Sequence, residues 1–274
     1  MILWCAVAGL VVGSWLNWLA DYLPRFSADH SARHRFASAP RPKFTFALAS
    51  LLAARVLHKN PAGEQGRRGA GDASAIAQQR SGKETLRRPS AVSPLNLAIE
   101  LLMAFLFTAA WVRFGWSPNL LLLASLDSFF VLIALIDYKY RLILNVLIFP
   151  ALAATLGFAV LTTWLAPFAA PGMFRLPAML VGGAFGLAIF WFAAWIRPGT
   201  LGFGDVKLAA LIGLVLGFPY AVWALLIGVL AGGVAVIVLV LTRQADLQAR
   251  IPYAPFLCLG AVSAFGFAPL LTII

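Results

Sequence analysis

Two aspartates stand at the ends of long apolar runs in this sequence. Asp137 follows the run from Phe129 to Ile136, and Asp205 lies in the stretch Gly202-Phe203-Gly204-Asp205-Val206-Lys207. An ionisable side chain next to membrane-length apolar sequence is costly, which marks it as a candidate functional residue. Two carboxylates at the ends of different helices can share one proton, so that one acts as a base on water while the other acts as an acid. This is the chemistry of an aspartic protease.

The composition is typical of a membrane protein. Hydrophobic residues make up 62% of the 274 positions, the mean hydropathy is +0.89, and only 11% of the residues are charged. Ordinary soluble domains are far more polar, and apolar runs of about 20 residues are typical of transmembrane helices. The net charge of +11 could suggest a nucleic-acid partner, but 13 of the 21 Lys and Arg residues lie between Arg25 and Arg88. Such clustering is typical of a cytoplasmic loop that follows the positive-inside rule, so we expect the lipid bilayer as a partner and no nucleic acid.

The apolar runs predict an all-α, polytopic membrane protein with about eight transmembrane helices. Residues 1–24 are predicted to form the first transmembrane helix, 25–94 a basic cytoplasmic segment that is partly flexible, and 95–274 a helical membrane core. The first helix lacks a preceding basic region, so it is expected to be retained rather than removed as a signal peptide. The eight predicted segments are 1–20, 95–113, 119–137, 143–165, 175–196, 205–217, 219–241 and 252–273.

The charge bias predicts an orientation with the N-terminus external. The connections 21–94, 138–142, 197–204 and 242–251 are then cytoplasmic, and together with the helix ends they hold 19 of the 21 basic residues. Segment 205–217 provides only about 20 Å of helix against about 30 Å of hydrocarbon, so it is expected to span the membrane or to insert deeply.

A second short apolar run, from Phe44 to Leu57, lies inside the polar segment. It has 14 residues, a length typical of an interfacial or re-entrant helix rather than a span. The run therefore leaves the predicted orientation unchanged.

Cysteines and histidines offer no metal site. The only cysteines are Cys5 and Cys258, which the predicted topology places apart, so neither a disulfide nor a thiolate zinc site is expected. The three histidines, His30, His34 and His58, fall in the cytoplasmic segment without paired ligand spacing, and we interpret them as solvated loop residues. We therefore expect proteolysis to require no metal.

The sequence resembles the type IV prepilin leader peptidases, a family of polytopic membrane aspartic proteases. Five blocks carry the resemblance in family order, and each is similar to a family motif. They are Gly9–Asn17 with Tyr22-Leu23-Pro24, Asn96–Leu102 with Glu100, Asp137 with Asn145, Gly202-Phe203-Gly204-Asp205-Val206-Lys207-Leu208, and Ile251-Pro252-Tyr253-Ala254-Pro255-Phe256-Leu257. The last two blocks are similar to the family's G-x-G-D-x-K-L and I-P-F-G-P-F-L. A lone G-x-G-D is weak, but five ordered blocks across nearly the whole chain are specific.

The resemblance implies about eight helices around a cytoplasm-facing aspartate diad in the bacterial inner membrane. It implies cleavage of the basic leader of prepilins or pseudopilins, after a glycine and before the hydrophobic helix. Asp137 and Asp205 carry over as the catalytic pair. Gly202 and Gly204 are expected to let the backbone turn tightly and approach the substrate strand.

The sequence departs from the family pattern at two places. Leu144 stands where the family usually has a proline before its asparagine. More importantly, segment 25–94 lacks the two CxxC pairs that many members carry, which are linked to zinc and to methylation of the new pilin N-terminus. Methyltransferase activity, and with it a need for S-adenosylmethionine, is therefore in doubt.

Four further polar residues have weaker claims. Asp127 lies ten residues before Asp137, so the two do not share a helix face, and it is interpreted as a partner for a polar group on a neighbouring helix. Glu100 has a claim from the resemblance and from its membrane position. Lys207 is expected at the interface, where it could tune the ionisation of the diad, and Asn17 is expected to form a hydrogen bond across helices.

Other classes of membrane protein also use buried carboxylates. Ion-coupled transporters place them near the bilayer midplane on broken helices, whereas both aspartates here border predicted cytoplasmic loops. A presenilin-like intramembrane protease shares G-x-G-D, but its expected P-A-L motif is absent. A non-catalytic assembly protein would not need both aspartates.

Overall fold

The computed structural model describes residues 1–27, 94–165, 176–196, 202–242 and 252–271. These residues form eight α-helices and no strand, which confirms the predicted all-α class. The helices are α1 (Ile2–Ser27), α2 (Pro94–Phe114), α3 (Pro118–Tyr140), α4 (Asn145–Leu165), α5 (Leu176–Ile196), α6 (Phe203–Leu216), α7 (Tyr220–Leu241) and α8 (Ala254–Leu271).

The helices follow from apolar runs that must satisfy their own backbone hydrogen bonds in lipid. Five of those in the described ranges are long and apolar enough to cross a membrane: Ile2–Pro24, Pro94–Phe114, Asn119–Tyr140, Leu176–Ile196 and Tyr220–Leu241. The apolar parts of α4 and α8, Asn145–Leu161 and Ala254–Gly266, are shorter. The chain is thus a polytopic membrane protein. Helix α6, with 14 residues and about 21 Å of length, is not among the five spans.

The structure divides into two compact units, and the division falls within α1. In the first unit, residues 1–18 of α1 pack on α2 through two glycines. A Cβ atom at Gly13 would lie 2.8 Å from the Cα atom of Glu100, and Gly9 packs equally closely on the backbone at Ala104. Asn17 donates hydrogen bonds to the carbonyl oxygens of Gly13 (3.1 Å) and Asn96 (3.2 Å), which confirms the predicted bond across helices.

The second unit is built around α6, which packs against α4, α5, α7 and α8. Buried residues follow one another along α6 from Leu208 to Leu216 with few interruptions, including Leu211, Ile212 and Val215. A helix that is apolar on every side is a buried one, and α6 accordingly lies at the centre of the largest hydrophobic cluster. Helix α3 packs against α8 at the edge of this cluster.

Glycines bring neighbouring helices of the second unit into backbone contact. Gly182 and Gly186 of α5 lie directly against Gly213 and Ala209 of α6, and Gly228 of α7 lies against Leu257 of α8. These glycines therefore allow the close helix packing that small residues provide between membrane helices.

Several sequence predictions concern residues outside the described ranges. They include most of the basic segment 25–94, the apolar run 44–57, all three histidines, and the connections 166–175, 197–201 and 243–251. Within the described part, α1 continues past the predicted end at residue 20 and through Pro24 to Ser27. Pro24 removes one hydrogen bond of the helix and its ring crowds the carbonyl four residues earlier, so its place three residues before Ser27 confines the disruption to the last turn.

Candidate active site

Asp137 lies three residues before the end of α3 and is 6% exposed. Its Oδ2 atom accepts a hydrogen bond from the backbone N–H of Ala254, the first residue of α8, at 3.3 Å. Arg141 follows the helix in the left-handed conformation with φ 53°, and its N–H donates to the Asp137 carbonyl at 2.7 Å. The Arg141 guanidinium also attracts the Asp137 carboxylate electrostatically. The burial of this charge is thus partly offset by one backbone donor and one cation.

Asp205 lies in the first turn of α6, outside the five candidate spans. Its N–H donates to the carbonyl of Gly202 at 3.0 Å, which closes the start of the helix. Burial raises the pKa of Asp205 to about 6, the charge of Asp137 contributes to this rise, and a backbone hydrogen bond from Gly202 opposes both effects. The charge of Asp137 thus acts on the Asp205 carboxyl.

Gly204 allows the segment after Asp137 to approach the start of α6. A Cβ atom at Gly204 would lie 2.8 Å from the Cβ atom of Ile143, closer than two side chains can approach. Gly202 instead has φ −75° and ψ 142°, an ordinary extended conformation, and Gly204 is helical. Neither glycine adopts a backbone conformation that only glycine favours, so neither makes the predicted tight turn. What Gly204 provides is space between α6 and the α3–α4 connection.

Lys207 joins α6 to α4 rather than acting on the aspartates. Its Nζ atom donates to Oδ1 of Asn145 at 3.0 Å and lies 4.9 Å from the centre of the Phe149 ring. The pKa of Asp205 is shifted by burial, by Asp137 and by Gly202, and not by Lys207. The suggestion that Lys207 tunes the diad thus receives no support, and the residue fixes the helix that carries Asp205.

Asp21 ties the end of α1 to the end of α3, a contact that the sequence reasoning missed. Its Oδ1 atom accepts hydrogen bonds from Nζ of Lys139 at 2.9 Å and from the Tyr140 hydroxyl at 3.0 Å. The ion pair is partly buried, with 17% of the Lys139 side chain and 34% of the Asp21 side chain exposed. An acidic residue at one helix end and a basic residue at another was the only available sequence signal.

Tyr253 sits beside the aspartates, immediately before Ala254. A Cβ atom at Gly232 of α7 would lie 2.7 Å from Cε2 of its ring, and the ring of Phe190 in α5 lies 6.3 Å away. Helix α7 continues for nine residues beyond Gly232, about 13 Å, and α5 for six residues beyond Phe190, about 9 Å. Both aspartates lie at helix ends, as predicted. Helices α5 and α7, however, continue well past the residues through which they contact Tyr253.

The other polar residues lie elsewhere. Asp127 is buried in α3, ten residues and about 15 Å before Asp137, and its Oδ1 atom has no hydrogen-bond partner among the described residues. The neighbouring polar partner expected for Asp127 is therefore not seen at that atom. Glu100 is buried in the first unit, where it belongs to the α1–α2 contact. In the described ranges, no three His, Cys, Asp or Glu side chains gather as metal ligands do.

The segment that carries both aspartates matches a known family. Residues 124–237 match the model of the type IV leader peptidase family. A protein named prepilin leader peptidase/N-methyltransferase from Bacillus subtilis is 34% identical over 177 residues, which cover 64% of this chain and 66% of that protein. The chain belongs to the type IV leader peptidase family.

Two further proteins that are similar to this chain are also named prepilin leader peptidase/N-methyltransferase. The protein from Pseudomonas aeruginosa is 25% identical over 275 residues, covering 94% of this chain and 88% of the relative. The protein from Pseudomonas putida is 26% identical over 157 residues, covering 55% of this chain and 51% of the relative. No solved structure matches the chain. The alignment therefore spans about two thirds of the Bacillus protein and most of the Pseudomonas aeruginosa protein.

Proposed function

We propose that this chain is an aspartic endopeptidase that removes the basic leader from type IV prepilins or pseudopilins. The reaction takes place at the cytoplasmic face of the bacterial inner membrane, with the N-terminus of the enzyme external and its main loop cytoplasmic. Family membership and the relatives' names support a leader peptidase. The observation that carries the proposal is a pair of electrostatically coupled carboxylates, Asp137 and Asp205, from separate helices within the matched segment.

The two aspartates divide the work of hydrolysis. Asp137, whose Oδ2 atom is held by the Ala254 N–H, is the ionised partner and takes a proton from the attacking water. Asp205, whose pKa is about 6, is the protonated partner and gives its proton to the carbonyl oxygen of the scissile peptide. The water oxygen bonds to the carbonyl carbon, and a neutral tetrahedral diol results.

The second half of the reaction returns both protons. The carbon–nitrogen bond breaks as the leaving nitrogen takes the proton from Asp137, and a hydroxyl proton of the diol returns to Asp205. The products are the leader carboxyl group and the new pilin amino group, and the diad regains its starting protonation. No metal enters this sequence of steps.

Methylation of the new amino group is a separate activity that the relatives' names include. It would require S-adenosylmethionine. The thiolates of the two CxxC pairs linked to it in the family are absent, because Cys5 and Cys258 are the only cysteines. The chain thus lacks the thiolate ligands that are linked to methylation in the family, and no methyl-transfer step is proposed for it.

The diad is tested by replacing each carboxylate with its neutral near-isostere. We expect Asp137→Asn and Asp205→Asn each to lower leader cleavage by at least about a thousandfold, because the shared-proton pair is lost. Both variants should stay inserted and abundant, since a neutral side chain is easier to bury. The measurement is mass spectrometry of the N-terminus of a co-expressed prepilin, which also reveals an added methyl group.

Asp127→Asn is the matched control. Asp127 is a buried carboxylate of the same helix but lies about 15 Å from Asp137, so the control should cleave at close to the parental rate. Substantial cleavage by a well-expressed Asp137→Asn or Asp205→Asn variant would refute the diad.

A further inference from the structure

The last turn of α3 carries Asp137 and ends three residues later, at Tyr140. The final carbonyl groups of a helix have no partner within the helix, so the last turn opens more readily than the rest. Arg141 closes this end by donating its N–H to the Asp137 carbonyl at 2.7 Å. That bond holds the backbone of the turn, but it does not tie the turn to another helix.

The Asp21 carboxylate supplies the tie to another helix, α1. Its Oδ1 atom accepts hydrogen bonds from Nζ of Lys139 at 2.9 Å and from the Tyr140 hydroxyl at 3.0 Å. Successive residues of a helix point about 100° apart around its axis. Two bonds from adjacent residues therefore restrict both the rotation of the last turn and its movement away from α1, which a single bond would not do.

The surroundings of Asp21 make this attachment firm. Hydrogen bonds to an ionised group are shorter and stronger than those between neutral groups, and partial burial of the Asp21–Lys139 pair reduces its screening by solvent. The preceding residue, Ala20, is fully buried, so the backbone that carries Asp21 is itself packed in place. Residues 19–27 of α1 belong to the same compact unit as Asp137 and Asp205.

We propose that Asp21 is a positioning residue of the peptidase, which acts through Lys139 and Tyr140 to hold the last turn of α3 where Asp137 can work with Asp205. This role rests on the proposed peptidase function. Asp21 takes no proton in the reaction and touches no reacting atom. A base and an acid must reach the water and the carbonyl oxygen at the same time, and a misplacement of about 1 Å can cost about a hundredfold in rate.

The electrostatic interaction within the diad gives a readout of the position of Asp137. The charge of Asp137 is one cause of the raised pKa of Asp205, about 6. If Asp137 moves away, this contribution falls and the pKa of Asp205 moves down towards 3.8. Because Asp205 is the proposed acid, the alkaline limb of the kcat/KM profile then moves to lower pH. Other ionisable groups around the diad, which the test leaves unchanged, are Arg141, Lys207, Tyr253 and Cys258 among the described residues.

The test uses two variants that break the same contact from opposite sides, Asp21→Ala and Lys139→Met/Tyr140→Phe. Asp21→Ala leaves a cation behind, which by its charge alone would lower the pKa of a nearby carboxyl. The double variant leaves the Asp21 anion, which by its charge alone would raise that pKa. A shift of the alkaline limb to lower pH in both variants therefore reports movement of Asp137 rather than a change of nearby charge.

We expect each variant to lower kcat for prepilin cleavage about tenfold, with KM within about threefold, per inserted enzyme. The combination of all three substitutions should lose about as much as either variant alone, because they remove one shared contact. Tyr138→Phe is the matched control. Tyr138 lies in the same turn, next to Asp137, but it is exposed and contributes neither bond to Asp21, so kcat and the alkaline limb should stay unchanged.

Several results would overturn the proposal. An unchanged kcat would show that the contact does not matter for cleavage, and a raised KM alone would show an effect on substrate binding. A lower rate with an unmoved alkaline limb would show a loss of folded enzyme, because such a loss lowers the rate equally at every pH. An upward shift in Lys139→Met/Tyr140→Phe would show that Asp21 acts by its charge. Parental cleavage and inactive Asp205→Asn enzyme, measured in the same assay, separate these results from failure of the peptidase function itself.

Discussion

Asp205 sets a pH dependence that follows directly from its surroundings. Burial and the charge of Asp137 raise its pKa to about 6, from 3.8 for a free aspartate. A group with a raised pKa holds its proton below that value and loses it above. Since the proposed mechanism needs Asp205 as the acid, kcat/KM should fall as pH rises through about 6, approaching tenfold per pH unit.

The measurement is a pH–rate profile of the purified enzyme with a prepilin peptide. The acid limb, at lower pH, belongs to protonation of the base, so the whole profile is bell-shaped. A rate that stays constant between pH 5 and pH 8 (~3 units) would contradict the assignment of Asp205 as the proton donor.

Sequence reasoning at the residue scale found the two carboxylates but not their neighbours. Each aspartate could be recognised because it is an ionisable group beside an apolar run. Ile143, Arg141 and Tyr253 could not be recognised in this way, because an apolar side chain, a left-handed backbone and a tyrosine ring acquire their roles only through contacts between distant segments.

The contact between α6 and the α3–α4 connection can be tested with a single methyl group. In Gly204→Ala the new Cβ atom would lie 2.8 Å from Cβ of Ile143, so α6 or the connection must shift. Displacements of about 1 Å in a catalytic pair can cost about a hundredfold in rate. We therefore expect a tenfold or larger loss of cleavage, measured on protein that remains inserted, and partial recovery in Gly204→Ala/Ile143→Gly, which removes the Cβ atom at 2.8 Å.

Gly233→Ala is the control for this experiment. Gly233 is also helical, and nothing lies within 4 Å of the position that its new methyl group would take. The substitution should therefore be tolerated or should stabilise α7 by up to about 1 kcal/mol. Equal loss of activity in the two variants would contradict a specific contact at Gly204.

Most helices could be predicted from the sequence, and α6 shows which of its features were visible there and which were not. Its position was visible as an apolar run over 205–217, and its short length was visible in the same run. Its central place among α4, α5, α7 and α8 was not predicted, although a helix that is apolar on every side indicates burial by protein. Helix α1 ends at Ser27, later than predicted, with Pro24 inside its last turn.

At the scale of the whole molecule, the orientation in the membrane remains a prediction that reporters can test. A reporter fused after residue 70 should be cytoplasmic and one after residue 170 external, because the basic residues concentrate in the predicted cytoplasmic connections. Paired phosphatase and fluorescent-protein fusions at each position provide the reading and its control. A cytoplasmic reading at 170 would contradict the predicted passage of the chain between the two positions.

Helices α5 and α7 extend beyond the residues that contact Tyr253, and this extension bears on how many substrate residues fit between the helix ends and the cleaved bond. These helices continue for about 9 Å and about 13 Å past the level at which they contact the tyrosine ring. An extended peptide advances about 3.3 Å per residue. In the proposed peptidase, a substrate strand entering along these helices would place about three or four residues between their ends and the bond to be cut. Arginines and lysines of a leader sit most favourably beyond that stretch, where their charges meet water and lipid headgroups rather than the apolar walls of the two helices.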